Sequence, residues 1–121
     1  MNHTRLFLLL QALGFLTAAL VHAGFLAQGY QHRAAMAAET VIGVVLVLGW
    51  LAGLLAPVWS RAFALGVQGF ALLGTLVGIF TMAIGVGPQS AFDVALHAGF
   101  VALLIAGLIL TARAPHLHHR V

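Results

Sequence analysis

Two histidines stand inside otherwise apolar runs, His22 in ALVHAGFLAQ and His97 in VALHAGFVAL. An imidazole in such a setting is costly unless it is partnered, and ionisable groups inside apolar spans tend to mark sites. The chain has only two acidic side chains, Glu39 and Asp93, and both fall close to these histidines in the expected topology. Asp93 precedes His97 by four residues, so the two share a helix face, and a carboxylate there can accept the imidazole N–H and fix its tautomer. Neutral imidazole ligates haem iron, copper and zinc, and two histidines on different helices can hold haem axially. His22 and His97 are therefore candidate cofactor ligands, for a haem b group. The set His22, Glu39, Asp93 and His97 has the donor types for a transition metal, copper, iron or zinc.

The elements that must position these groups follow from composition. The chain has 121 residues, 63% hydrophobic and 6% charged, with a mean hydropathy of +1.12. A soluble domain carries about 25% charged residues, so an integral membrane protein is expected. Four apolar spans are legible, at about 6–27, 37–56, 62–86 and 91–112, each near the ~20 residues that cross a bilayer as a helix. Lipid offers backbone amides no partner, so the spans must be helical. The connections QGYQHRAAM, PVWSR and GVGPQS are short and richer in polar residues than the spans they join. The expectation is one all-α domain over 1–121, an up-down-up-down bundle of four transmembrane helices. The opening residues also fit a secretory signal, with VHA before a glycine as a cleavage site; the segment is read here as a retained helix.

Arg5, Arg61, Arg113 and Arg120 fall at one end of this bundle and Arg33 alone at the other. The positive-inside rule then places both termini in the cytoplasm, as in a bacterial inner-membrane protein, with Trp50 and Trp59 anchoring that interface. His22 and His97 come to one level near the outer side, on opposite-running helices. Gln11 lies eleven residues before His22, and Gln68, Thr75 and Met82 recur every seven residues, so the polar groups line an inner seam in two layers. The terminal His116, His118, His119 and Arg120 read as a solvated tail.

Each feature also has a plainer explanation. The histidines can bond across helices to a carbonyl, to Glu39 or to Asp93, and such contacts contribute about 0.6 kcal/mol on average. Glu39 and Asp93 can cap helix N-termini. Glycine pairs such as Gly49/Gly53 and Gly74/Gly78 permit close helix approach, inside the bundle, in a homo-oligomer or against other membrane subunits. No glycine flanks either histidine on its own face, which disfavours haem.

There are no cysteines, and no P-loop, dinucleotide fingerprint, serine elbow or HExxH motif. With five basic side chains, nucleic acid is not an expected partner. The chain resembles small multidrug exporters and fluoride channels in length and span number, but lacks their first-span acidic residue and polar filter segments. The readings that remain are a haem or metal site near the outer leaflet serving electron transfer, an accessory subunit of a larger membrane complex, and a small proton-coupled transporter. An enzyme acting on its own is not expected.

Overall fold

The structure is a computed structural model that describes residues 2–115. It contains helices α1 (His3–His22), α2 (Arg33–Leu55), α3 (Ser60–Ala83) and α4 (Ala91–Arg113), with a 3-10 turn, Pro57–Trp59, between α2 and α3. All four helical segments are long and apolar enough to cross a membrane, and no strand occurs among the described residues. Sequential helices pack side by side, and α1 closes onto α4 more sparsely. The protein is therefore an integral membrane four-helix bundle.

The helix ends obey local rules. Asn2 caps α1 by accepting from the Arg5 N–H at 2.9 Å, and His32 caps α2 by accepting from the Ala35 N–H at 3.1 Å. Ser90 and Asp93 form a reciprocal capping box on α4. α1 and α3 both stop at a glycine in the left-handed region, Gly24 (φ 87°) and Gly85 (φ 82°). In each case two backbone bonds close the end: Phe25 N–H to Leu20 O and Gly24 N–H to Val21 O, then Val86 N–H to Thr81 O and Gly85 N–H to Met82 O. This is the Schellman arrangement, and it satisfies carbonyls that lipid cannot.

The first of these ends corrects an expected boundary. The apolar run continues to Ala27, but α1 stops at His22. The two HAGF tetrapeptides consequently differ: the first terminates a helix and leaves Phe25 81% exposed, whereas the second lies within α4 and buries Phe100 to 6%. A second correction concerns Glu39. Because α2 begins at Arg33, Glu39 is about two turns inside the helix rather than in its first turn, and it caps nothing. Trp59 is 62% exposed, as an interfacial anchor would be, but Trp50 packs against the core. His116, His118, His119 and Arg120 lie outside the described residues.

The interior seam is heptad-like. Buried positions on α4 are Asp93, His97, Phe100, Leu104, Gly107 and Thr111, and on α3 they are Ala64, Gln68, Ala71 and Thr75. Alternating steps of four and three are the spacing of left-handed bundles. Most of the large apolar side chains are instead displayed outward, to lipid.

The small-residue positions named above are used inside the bundle. A Cβ at Gly49 would lie 2.6 Å from the methyls of Val67, and one at Gly74 would lie 3.0 Å from Ile42 Cδ1, whereas Gly66 and Gly69 meet nothing within 4 Å. Gly49→Val should therefore force α2 and α3 apart and destabilise the bundle by about 1–3 kcal/mol, the usual cost of overpacking. Gly66→Ala and Gly69→Ala should leave stability unchanged or raise it. Thermal melting in detergent distinguishes the two classes.

Candidate functional site: a buried carboxylate–imidazole–carboxylate cluster

His22 is the last residue of α1, and its ring is clamped from two sides. Nδ1 lies 2.7 Å from Glu39 Oε2 on α2, and Nε2 lies 2.7 Å from Asp93 Oδ1 on α4. All three residues are buried, His22 to 1% exposure. Three helices thus contribute one ionisable group each. Their local structure explains how they meet. The Schellman end halts α1 at the level where α2 and α4 begin, and His32 N–H bonds His22 O at 2.9 Å to fold the connection back. In α4, Asp93 Oδ2 bonds the Ser90 hydroxyl and the Ser90 N–H, which leaves Oδ1 for His22.

This overturns the pairing expected from spacing. The Asp93 carboxylate orients His22, not His97. His97 Nδ1 instead bonds the Asp93 backbone carbonyl at 2.8 Å, an i, i−4 contact within its own helix. Its Nε2 faces α3 at Gly78, where a Cβ would lie 3.3 Å away, and it has no hydrogen-bond partner among the described residues. The capping role weighed for Asp93 holds, yet it coexists with the His22 contact because the two carboxylate oxygens are divided between them. The four candidate residues do assemble at one end of the bundle. The His22 ring is level with Asp93, and His97 follows four residues later on α4, about 6 Å along the axis.

The site opens on a cleft of about 180 Å³ between α2, α3 and α4, lined by Glu39, His97, Thr75 and Gly78 and floored by Phe15 and Phe100. Those two phenyl rings stack at 4.0 Å between centroids. Glu39 Oε1 is buried and has no hydrogen-bond partner among the described residues. His32 stands at the cleft's outer rim and reaches across it, 3.3 Å from Nε2 to Val86 O. A histidine just before an apolar run, at an N-cap position, is the only signal in the sequence for the rim role of His32. Met82 lines a neighbouring cleft with His97, and Met36 takes no part.

The second polar layer lies deeper, beyond Phe15 and Phe100. Gln11 Nε2 donates to Gln68 Oε1 at 2.8 Å and to Leu103 O at 3.2 Å, and Gln68 Nε2 donates to Thr111 Oγ1 at 2.9 Å. Gly107 makes room for the pair, since a Cβ there would collide with both amides.

Chemically, the cluster is a short hydrogen-bonded chain with two arrangements at one proton count. With both carboxylates ionised, each ring nitrogen must donate, so His22 is an imidazolium and the cluster carries one net negative charge. Moving the Nδ1 proton onto Glu39 gives a neutral ring and a neutral acid at the same net charge. As a metal site the cluster is poorly arranged. Its carboxylates sit on opposite edges of the ring, so no single point is reached by all three side chains, and no group of three His, Asp or Glu suited to a metal ion occurs among the described residues. A metal or haem bond from His22 requires the loss of one 2.7 Å contact.

The chain matches no protein-family model, and no curated protein or solved structure shows significant similarity to it.

Breaking a buried ion pair by deleting one partner typically costs 3–5 kcal/mol. Asp93→Ala and Glu39→Ala should each destabilise the bundle by about that amount. Removing all three side chains together should cost less than the sum of the single losses, because no charge is then left stranded. A double-mutant cycle on melting or unfolding in detergent reads the coupling, whereas additive losses would mean that the groups are energetically separate.

Proposed function

We propose that this protein is a small proton-coupled transporter, with Glu39, His22 and Asp93 as its proton-holding group and the cleft beside Glu39 as the point of solute access. The observation that carries this reading is the clamping of one buried imidazole by two carboxylates on different helices, one of which keeps a free oxygen, Glu39 Oε1, in a residue that lines the cleft. A proton arriving at Glu39 converts the cluster from one net negative charge to neutral. In a low-dielectric interior that change alters every local interaction. It is therefore able to bias helix positions, as a bistable switch requires. Phe15 and Phe100 stack across the deep side, which supports access from the side away from them. The four-to-one arginine bias supports an orientation with that side outside and both termini in the cytoplasm of a bacterial inner membrane.

The test uses proteoliposomes under an imposed pH gradient, with and without candidate small solutes. Wild-type vesicles should dissipate the gradient faster than empty ones, and Glu39→Gln, which keeps the size and removes the titrating group, should abolish the difference. Nitrogen NMR of the His22 ring should report a change of protonation as the pH is varied in the wild type, and an altered profile in Glu39→Gln. Vesicles no faster than empty ones with any solute, together with a His22 ring whose signal is constant across pH, would overturn the reading.

A second reading is supported by His97. Its free Nε2 and the free Oε1 of Glu39 belong to residues that line one cleft, and imidazole plus carboxylate is a donor pair suited to zinc, copper or iron. On this reading the cleft binds a transition metal or haem iron through His97, and serves electron transfer or metal passage. Elemental analysis and visible absorbance of the purified protein should then show bound metal that is lost in His97→Ala while melting is unchanged. Protein free of metal and of a Soret band leaves the proton reading alone.

A further inference from the structure

The opposite end of the bundle holds a second cleft, about 390 Å³, whose lining includes Arg5, Arg61, Arg113, Ser60 and Trp50. Three of the chain's five basic side chains converge on it. Its charge is uncompensated by acidic side chains: the only two, Glu39 and Asp93, are both bound to His22 at the other end. Arginine stays charged at any accessible pH.

The donors around this cleft are also incompletely used. Arg5 Nε and Trp50 Nε1 are shielded from the cleft and have no hydrogen-bond partner among the described residues. Arg61 is fixed in place by donating from Nε to Thr111 O at 3.3 Å and from Nη2 to Ala112 O at 2.8 Å, which leaves its other amino group uncommitted. The cleft, of about 390 Å³, therefore presents the positive charge of three arginines, one of them, Arg61, held in place by α4 carbonyls.

We propose that this cleft binds a phosphate group, with the guanidinium groups of Arg5, Arg61 and Arg113 supplying charge and directed bonds. Phosphate oxygens match the guanidinium fork and accept several donors at once. Basic pockets between transmembrane helices hold phospholipid headgroups in the same way. The phosphate comes either from an anionic lipid or from a soluble ion, and the two sources are separable.

The chain has two tryptophans, so Trp59→Phe leaves Trp50 as the only indole and a reporter inside the cleft. In detergent, this single-tryptophan protein is titrated with phosphatidylglycerol, with diacylglycerol as the phosphate-free control, and with inorganic phosphate. A saturable change in Trp50 emission with phosphatidylglycerol but not diacylglycerol is expected, and Arg5→Gln/Arg113→Gln should weaken it at least about tenfold. A response to phosphatidylglycerol alone assigns the site to a lipid headgroup; an equal response to inorganic phosphate assigns it to a soluble phosphate. Arg113 is exposed, so Arg113→Gln alone serves if the double variant melts early. Equal responses to phosphatidylglycerol and diacylglycerol with inorganic phosphate silent, or arginine variants that respond like their parent, would overturn the proposal.

Discussion

A histidine held between two carboxylates, with all three out of water, is the constraint around which the half of the bundle remote from the described chain ends is organised. Neither carboxylate is tolerable there alone, because an isolated ion in a low-dielectric interior is strongly disfavoured. Each needs the ring, and the ring can serve both only if α1 ends where α2 and α4 begin. The position of the α1 terminus, the return of the chain through His32 and the capping box on α4 all satisfy that condition. The cluster is specific in the sense that a shift of one residue in any of the three helices would strand a charge.

Below that layer the interior alternates in character. Phe15, Phe100, Ile42, Leu46 and Leu104 form an apolar stratum, and the Gln11–Gln68–Thr111 amide network follows it. Lipid tails are as apolar as leucine, so burying leucine between helices gains little in a membrane. Close backbone approach and polar contacts must hold the bundle instead. The inward polar residues and the outward leucines, valines and phenylalanines follow from this, and so do glycines facing Val67, Ile42 and His97.

Much of this was legible in the sequence, for identifiable reasons. Four long apolar runs can only be helices in lipid, so their number and antiparallel order followed. The seven-residue recurrence of Gln68 and Thr75, and the eleven-residue interval from Gln11 to His22, placed those side chains on the seam where they are found. The pairing within the site was not legible. Side chains on a helix lean toward its N-terminus. From near the start of α4, Asp93 therefore leans outward to Ser90 and His22, and His97 leans back onto the carbonyl of its own preceding turn. Spacing says which residues share a face, and it does not say which of two acceptors on that face a ring will choose. The end of α1 was hidden for a different reason: hydropathy carries on through Phe25 and Leu26, while the left-handed φ of Gly24 stops the helix.

The cluster also divides the bundle mechanically. It ties α1, α2 and α4 to one another and takes nothing from α3, which meets the cleft with Gly74, Thr75 and Gly78. Thr75 and Thr81 spend their hydroxyls on carbonyls of their own helix, and the outer end of α3 is joined to α2 through the His32–Val86 bond in the connection that follows it. Three helices are thus braced by the carboxylate–imidazole bonds, and the fourth is tied to them deeper down, through Gln68 and Arg61, while at the cleft it presents small side chains. The α3 wall of the cleft has no share in the carboxylate–imidazole bonds, so a change of the cleft's width on that side leaves them intact.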